Sequence, residues 1–558
     1  MSLWRQLTSL ERTLLLASLA FWLCVQVVWM APPFGSTDVY VFRDAACNMV
    51  QGLGFRTASF VDSHSFQPLL YSAYTPFSQW AFLPFAALLG CGPRSGQVYY
   101  LLLASLADLS VLWVVLKRLS RGWQRTLLIA VLALALPAGY VGGELDRPEN
   151  LSFLSLMVLL IIVQRRQGMA AMALAGFVAG VCFLIQPFAG VVGAFLIAGS
   201  VLVSNRSRGR VRAVLLRGLA SSLCFAAPVL LVAAAFLHQD RNSLQRFIHV
   251  AVIQGLNRRL PPAQLQEMPA LGRGVPTSAE VTRRVTGRAA QPKEQALTSR
   301  YREALQFHSS QGLLAILDLL FGAVASLVWV FLCVSSPGNV VEKLGLFAAG
   351  ALSFLLPVVV FPLEPKYLLL TRSLFPFVLA LNWARSAEVL RAKQVVTLLL
   401  ALNLVAVLPS LAANAVQGIE NRRSYQEAKE QAQTLKSHLD ERGLSNGVVL
   451  VPATHYYLYK QLLGNLFNPN FLDHRRFLGK YYNPNDLSYH FDPTQVVAVV
   501  NCNTASSNFL PMTKPLPDLV SGTGLQVIST GKDPVEVELF HHKLMRSNWT
   551  WECDIYSR

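Results

Sequence analysis

The sequence predicts a polytopic α-helical membrane protein with about eleven transmembrane helices and a small extracytoplasmic C-terminal α/β domain. Three observations predict this fold class: long stretches without charge, basic residues concentrated on one side of the predicted helices, and alternating short elements near the C-terminus. Hydrophobic residues make up 53% of the 558 residues and charged residues 14%, whereas a soluble domain carries about 25% charged residues. The mean hydropathy is +0.41.

Apolar stretches long enough to cross a bilayer, which needs about 20 residues, recur along the chain. The first is too long for the apolar region of a cleaved signal peptide and has no cleavage-like site after it, so we interpret it as the first span. The predicted helices are roughly 13–31, 97–116, 126–143, 150–164, 168–185, 188–204, 216–237, 312–334, 344–361, 367–384 and 394–416.

Basic residues orient these helices with the N-terminus in the cytoplasm, because Lys and Arg accumulate in cytoplasmic loops. In this orientation the short cytoplasmic segments carry far more Lys and Arg than the short outer segments. Residues 69–92 are also apolar and uncharged, but a span there would invert the bias. Pro76 and Pro84 interrupt helical continuity there, so we predict interfacial or re-entrant helices.

This topology divides the chain into a transmembrane domain, 1–416, and an extracytoplasmic domain, 417–558. Two long outer loops follow from it, 32–96 and the basic segment 238–311. The C-terminal domain begins with an amphipathic helical stretch, Tyr425 to Arg442, and then alternates strand-like and helix-like runs. The strand-like runs are Gly447–Val451, Gln495–Val500, Leu525–Ile528 and Val535–Phe540, and the helix-like run is Tyr456–Leu463.

The cysteines and the net charge limit the classes of function that the sequence supports. Cys502 and Cys553 can pair if the C-terminal segment faces an oxidising compartment. Neither a CxxC motif nor a Cys/His metal spacing is present, so the sequence requires no cofactor or metal, and a divalent cation stays open without support. The net charge of +17 follows from basic residues beside helices, and no nucleic-acid motif accompanies it.

Asp38 follows the first predicted helix almost at once. Ser36, Thr37 or Asp38 can cap a short helix running to about Gln51. Gly52 and Gly54 then end that helix. A capping role alone accounts for Asp38 as well as a catalytic one does.

Two further charged groups lie at outer helix ends, where rim charges are functional hypotheses. The alternative for the first group, residues 144–149, is a solvated turn, although its three acids repel one another unless a cation pairs with them. The alternative for Arg372 is snorkelling. Asp108 lies in the middle of a predicted span, where a packing role is favoured over a proton or ion site. The two groups are Glu144, Asp146, Arg147 and Glu149, and then Glu364, Lys366, Tyr367 and Arg372.

Five groups of residues occur in the order of a known set of motifs. They are Asp38, Tyr40, Ala45, Asn48 and Gly52-Leu53-Gly54-Phe55; Tyr74-Thr75-Pro76-Phe77 with Trp80; Arg147-Pro148-Glu149; the helix pair joined at Gln186-Pro187; and Glu364-Pro365-Lys366-Tyr367 with Pro376. Over about residues 10–385 the chain resembles the GT-C-fold glycosyltransferases that use polyprenyl-phosphate-linked sugars. Within them it is most similar to protein O-mannosyltransferases and lipid A aminoarabinose transferases. Val39 and Gln186 depart from the pattern, which often has an acid and a basic residue there.

The resemblance implies an inverting transfer of a sugar from a polyprenyl-phosphate donor to an acceptor hydroxyl on the extracytoplasmic side. It implies Asp38, Asp146 and Glu144 as catalytic residues, with Asp38 accepting the acceptor proton. It implies that Lys366, Arg372 and Arg147 stabilise the leaving phosphate. The expected substrate-binding residues are Arg147, Glu149, Glu364, Lys366, Tyr367, Arg372, Gln186 and Tyr40.

The expected partners are the donor, a lipid, glycan or protein acceptor, and membrane lipids, with no nucleic acid. We expect the bacterial plasma (inner) membrane, although the endoplasmic reticulum stays open. The alternative function is a transporter or flippase of a lipid-linked or anionic substrate, using Asp108 and the rim cations. No internal repeat of the kind common in transporters is evident in the sequence.

Overall fold

The computed structural model describes part of the chain, and helices and strands are numbered here within that part. The described residues are 3–32, 39–61, 68–70, 76–119, 122–138, 149–165, 168–203, 211–239, 320, 390–451, 455–463, 466–467, 495–501, 524–531, 536–539, 542–546 and 552–558.

The N-terminal span begins at a capped helix. Helix α1 covers Leu3–Gln6 and α2 covers Ser9–Ala20, and a π-helical segment continues to Trp29. Thr8 and Glu11 form a reciprocal capping box, in which the Glu11 amide donates to Thr8 and the Thr8 amide donates to Glu11. This arrangement satisfies two backbone donors that the first turn leaves unpaired. The predicted first helix therefore forms as one stretch, Ser9–Trp29.

The described part of the chain is mostly helical, and its apolar helices indicate a membrane protein. Three of its helical stretches are long and apolar enough to cross a membrane: Ser9–Trp29, Pro93–Lys117 and Arg212–His238. The other apolar helices are shorter. The helices of this region are α3 Val39–Val50, α4 Pro76–Leu89, α5 Pro93–Arg118, α6 Trp123–Ala138, α7 Glu149–Arg165, α8 Met169–Ile185, α9 Pro187–Val203 and α10 Val211–Gln239.

Most predicted spans up to residue 239 overlap one of these helices within a few residues. Predicted spans 312–334, 344–361 and 367–384 lie outside the described residues, apart from residue 320. The total of about eleven spans therefore stays a prediction. Helix α4 has 14 residues, with Pro84 inside it, and rises about 21 Å. That rise is less than the hydrocarbon thickness of about 30 Å, and the interfacial position of residues 69–92 stays a prediction.

Small residues bring α8 and α10 close together. A Cβ atom on Gly176 would collide with the backbone carbonyl of Ser221, and one on Gly180 with that of Phe225. Small residues at helix contacts let backbones approach closely, which is how membrane helices gain packing energy. Helices α7, α8 and α9 share one apolar core, which includes Leu159.

Helix α11 is a continuous helix of 52 residues, Leu390–Glu441, with a rise of about 78 Å. It joins the predicted last span, 394–416, to the predicted amphipathic stretch without a break. The predicted domain boundary at 416/417 therefore falls inside one helix. Its C-terminal part buries one side chain per turn, namely Tyr425, Ala428, Ala432, Leu435 and Leu439.

A five-stranded mixed sheet follows α11, in the order β4-β3-β5-β9-β6. Strands β3, β4 and β5 run parallel, and β9 is antiparallel to β5 and β6. The short helix α12, Tyr456–Lys460, connects the parallel strands β3 and β4. The sheet strands are β3 Val448–Leu450, β4 Leu466–Phe467, β5 Val496–Asn501, β6 Gln526–Ser529 and β9 Asp554–Ser557, and a separate hairpin pairs β7 Glu536–Leu539 with β8 His542–Arg546.

The segment that follows the first span packs directly on this C-terminal sheet. Strands β1 Arg56–Val61 and β2 Pro68–Leu70 form an antiparallel pair after α3. Side chains of α3, α4, α11, α12 and the sheet belong to a single apolar core, which includes Phe82 and Tyr456. The disulfide Cys47–Cys91 joins α3 to the segment before α5. The sequence analysis did not predict this disulfide.

Candidate functional site

Most of the predicted site residues lie outside the described residues. Among the others, Tyr40 lies in the first turn of α3 and Glu149 begins α7, and only their backbone is described. Gln186 is described in full. The predicted residues outside the described part are Asp38, Glu144, Asp146, Arg147, Glu364, Lys366, Tyr367 and Arg372.

Gln186 joins two of the predicted motifs. It ends α8, and its buried Oε1 accepts a 3.2 Å hydrogen bond from Ser152, one turn into α7. Its carbonyl accepts the Gly190 amide at 3.2 Å, at the start of α9. The first turn of α7, which carries Glu149, therefore lies beside the α8–α9 junction.

Helix α3 forms where its capping and terminating residues predict it. It begins at Val39, directly after Asp38 in the sequence, and ends at Val50. Gly52 and Gly54 adopt φ values of 79° and 77°, a left-handed conformation that glycine reaches without strain. The predicted helix to about Gln51 and its glycine end are confirmed.

Four buried polar residues join α3 to α12, and we refer to Asp44, Asn48, Tyr456 and Lys460 as the Asp44 cluster. The Tyr456 hydroxyl donates to Asp44 Oδ1 at 2.9 Å, and Asn48 Nδ2 donates to Asp44 Oδ2 at 3.2 Å. Lys460 Nζ donates to Asn48 Oδ1 at 2.7 Å and to the Tyr456 hydroxyl at 3.1 Å. Its distance to Asp44 Oδ1 is 3.7 Å. Both carboxylate oxygens and the ammonium group therefore have partners.

The burial of the Asp44 cluster limits what it can do. Asp44 and Asn48 are 0% exposed and Lys460 is 7% exposed. The Asp44 carboxylate is therefore enclosed by protein groups in this structure. Buried charges persist where they are paired and hydrogen-bonded, and directional contacts of this kind fix one arrangement of the elements that carry them. The cluster therefore serves to hold α3 in place.

Further contacts hold α3 from other sides. The Arg43 guanidinium lies 4.4 Å from the ring centroid of Tyr457 and 5.3 Å from that of Phe82. Gln79 of α4 accepts the Ala46 amide at 3.0 Å. The Cys47–Cys91 disulfide adds a covalent link. Helix α3 is thus fixed to α12, to α4 and to the start of α5.

At the C-terminal end of the first span, α11 contacts the N-terminal helices. The Ala31 amide donates to the Gly418 carbonyl at 3.1 Å. The Arg94 guanidinium and the Lys429 ammonium lie 5.8 and 4.8 Å from the Tyr425 ring centroid. Burial raises the pKa of Tyr425 to about 12. Burial, and then the charge of Arg94, lower the pKa of Lys429.

Sequence reasoning identified Asn48 but missed Asp44, Tyr456 and Lys460. No local pattern identifies these three residues, because the contacts join positions 412 residues apart. The sequence does contain a signal for the disulfide, since Cys47 and Cys91 both fall within the predicted first outer loop. In the described part of the chain, no group of three or more His, Cys, Asp or Glu side chains is arranged to hold a metal ion.

Comparison with known proteins gives little further guidance. No family model matches the sequence, and no curated protein matches it. The Archaeoglobus fulgidus oligosaccharyltransferase is similar in its complex with Zn and sulfate, at 13% identity and a TM-score of 0.46, over 88% of this chain and 67% of that one. The apo form of that protein is similar at 14% identity and a TM-score of 0.47, over 88% of this chain and 69% of that one. TM-scores below 0.5 carry no argument about the fold or function of this chain.

Proposed function

We propose that this protein is an inverting GT-C-type glycosyltransferase, which moves a sugar from a polyprenyl-phosphate donor to an acceptor hydroxyl on the extracytoplasmic side of the membrane. One observation carries the proposal. Helix α3 bears the motif residues Ala45 and Asn48, begins directly after Asp38, and is held by the Asp44 cluster, Gln79 and a disulfide. Catalytic groups must be held in position by supporting contacts, and α3 is held in this way.

Disulfide bonds support an extracytoplasmic position for this region. Cys47–Cys91 is one, and Cys553 is also disulfide-bonded, while its predicted partner Cys502 lies outside the described residues. Disulfides persist in oxidising compartments and are rare in the cytosol. Because α3 contacts α12 directly, the first outer loop and the C-terminal sheet lie on the same side of the membrane. With Ser9–Trp29 as the first span, an extracytoplasmic α3 supports the proposal of a cytoplasmic N-terminus.

The proposed reaction assigns the charged rim residues by their chemistry. The Asp38 carboxylate accepts the proton of the acceptor hydroxyl while that oxygen attacks the anomeric carbon in line. The bond from the anomeric carbon to the phosphate oxygen breaks, and the lipid phosphate leaves with the electron pair. Lys366, Arg372 and Arg147 stabilise the charge that develops on it. Glu144 and Asp146 orient acceptor or sugar hydroxyls.

The remaining predicted contacts complete the proposed binding site. Gln186 at the α8–α9 junction and Glu149 in the adjacent first turn of α7 bind polar groups of the donor, together with Tyr40, Glu364 and Tyr367. The isoprenoid chain of the donor lies in an apolar groove between helices. The acceptor is a lipid, a glycan or a protein, and the expected membrane is the bacterial plasma membrane. No cofactor is required in this scheme.

Donor-dependent transfer tests the proposal. The purified protein in lipid nanodiscs is incubated with isotope-labelled polyprenyl-phosphate sugars and with lipid, glycan and peptide acceptors. Wild-type protein is expected to label an acceptor, and Asp38→Asn to abolish labelling at unchanged expression. Asp440→Asn is the matched control, because Asp440 is 47% exposed and distant in sequence from the motifs.

Two outcomes would overturn the proposal. If Asp38→Asn transfers sugar at nearly the wild-type rate, Asp38 is not the base in the reaction. Donor movement across proteoliposomes, without labelling of any acceptor, replaces the transferase with the transporter or flippase alternative.

A further inference from the structure

We propose that Tyr456 and Lys460 of the C-terminal region are positioning residues for the transfer reaction, because α12 sets the orientation of α3 and hence of its N-terminal end at Val39, the residue that follows Asp38 in the sequence. The inference rests on the proposed function and extends it to a region that matches none of the motifs. It assigns the C-terminal sheet a part in the rate of the reaction, in addition to any part in acceptor binding.

The contacts between the two helices are specific in register. Asp44 and Asn48 are four residues apart and so lie on one face of α3, and Tyr456 and Lys460 are likewise on one face of α12. Tyr456 contacts Asp44, and Lys460 contacts both Asn48 and Asp44. A rotation of α3 about its axis, or a shift along it, would break these hydrogen bonds together.

The position of α12 is in turn set by the sheet. A helix of five residues is not stable alone. Helix α12 is held because it connects the parallel strands β3 and β4, and its Tyr456 and Tyr459 side chains are buried in the common core. The sheet therefore positions α12, α12 positions α3, and α3 positions the residue that precedes it.

Stability alone does not account for the composition of the cluster. A buried ion pair is weak evidence for stability, because apolar residues of similar volume often stabilise as well or better. Hydrogen-bonded polar groups instead select one geometry. Asp38 stands six positions before Asp44 in the sequence, and a misplacement of about 1 Å at a reacting group can reduce a rate about 100-fold.

The test removes one oxygen atom from α12. Tyr456→Phe deletes the hydroxyl that donates to Asp44 and accepts from Lys460, while the buried ring stays. We expect kcat to fall about tenfold, with an unchanged KM for the donor and a melting temperature lower by only a few degrees. Tyr459→Phe is the matched control, since its buried hydroxyl lacks a hydrogen-bond partner among the described residues.

Amide hydrogen exchange supplies a readout that does not depend on activity. Residues 39–50 should exchange faster in Tyr456→Phe than in wild type and remain protected in Tyr459→Phe. The positioning role is overturned if Tyr456→Phe keeps the wild-type kcat, or if it loses only thermal stability while each folded molecule transfers at the wild-type rate. If the wild-type protein transfers no sugar, the proposed function fails, and the exchange data still decide whether α12 orders α3.

Discussion

The Tyr456 hydroxyl donates a 2.9 Å hydrogen bond to the carboxylate of Asp44, across 412 residues of the chain. Asp44 is 0% exposed, so this carboxylate depends entirely on protein groups for its hydrogen bonds. The contact ties the first outer loop to a helix of the C-terminal sheet. Any change that separates the two regions therefore removes the Tyr456 hydrogen bond and the nearby Lys460 ammonium group from the Asp44 carboxylate.

Removing Lys460 should destabilise the protein strongly. Lys460→Ala removes the ammonium group that lies 3.7 Å from the buried Asp44 carboxylate, and removing one partner of a buried ion pair costs about 3–5 kcal/mol. A fall in melting temperature, measured by thiol-reactive dye fluorescence in detergent, checks this expectation. Lys436→Ala is the control, because its 3.0 Å pair with Asp440 is exposed and such pairs contribute less than about 1 kcal/mol.

A double variant separates the contribution of the two charges to stability from the contribution of side-chain packing. Asp44→Asn/Lys460→Gln removes both charges and keeps polar side chains of similar size. We expect it to lose less stability than the two single variants added together, because neither charge is then left unpaired. Strict additivity of the two losses would show that the pair does not couple.

The Cys47–Cys91 disulfide should stabilise the outer region. It closes a loop with a sequence separation of 44, for which the chain-entropy estimate is about 4 kcal/mol. Cys47→Ser/Cys91→Ser should therefore lower the melting temperature. A reductant should destabilise the region that this disulfide links in the wild-type protein, but should have no such effect on that region in the double variant. Cys224→Ser, at a free and half-buried cysteine, should change neither. An unchanged melting temperature in the double variant would contradict this role.

Local signals predicted much of the described fold. The spans 168–185 and 216–237 coincide with α8 and α10 within a few residues, because a charge-free stretch of about 20 residues has few alternatives to a helix. Helix α3 was predictable from its preceding polar residues and from Gly52 and Gly54. Strands β3 and β5 lie within their predicted runs to one residue, since both are short, buried and rich in valine.

What could not be predicted depends on contacts between distant segments. Asp44 lies in a helix of mixed polarity and is indistinguishable in sequence from an exposed acid. Its burial follows from the docking of α12, and nothing in the sequence near Tyr456 or Lys460 indicates that partner. The continuity of α11 across residue 416 was missed for a related reason, because the change from apolar to amphipathic composition was interpreted as a boundary.

The proposed topology predicts which cysteines an impermeant reagent reaches. Glu441→Cys, at the exposed C-terminal end of α11, should react with a membrane-impermeant maleimide in intact cells, because that end lies outside. Gly122→Cys, an exposed position just before α6 where an added Cβ meets nothing within 4 Å, should react only after permeabilisation. Wild-type protein gives the background from native cysteines. Labelling of Gly122→Cys in intact cells would reverse the topology.

The close approach of α8 and α10 predicts that the stability of the protein depends strongly on the glycines at their contact. In Gly176→Ala and Gly180→Ala the new methyl group meets a backbone carbonyl of α10, which cannot move aside as a flexible side chain does. Overpacking of this kind costs about 1–3 kcal/mol, so both variants should melt at lower temperature. Gly218→Ala, on α10 itself, is the matched control, because its added Cβ meets no atom within 4 Å and alanine is about 1 kcal/mol more favourable than glycine inside a helix. Equal melting temperatures for the three variants would contradict the close packing of the two helices.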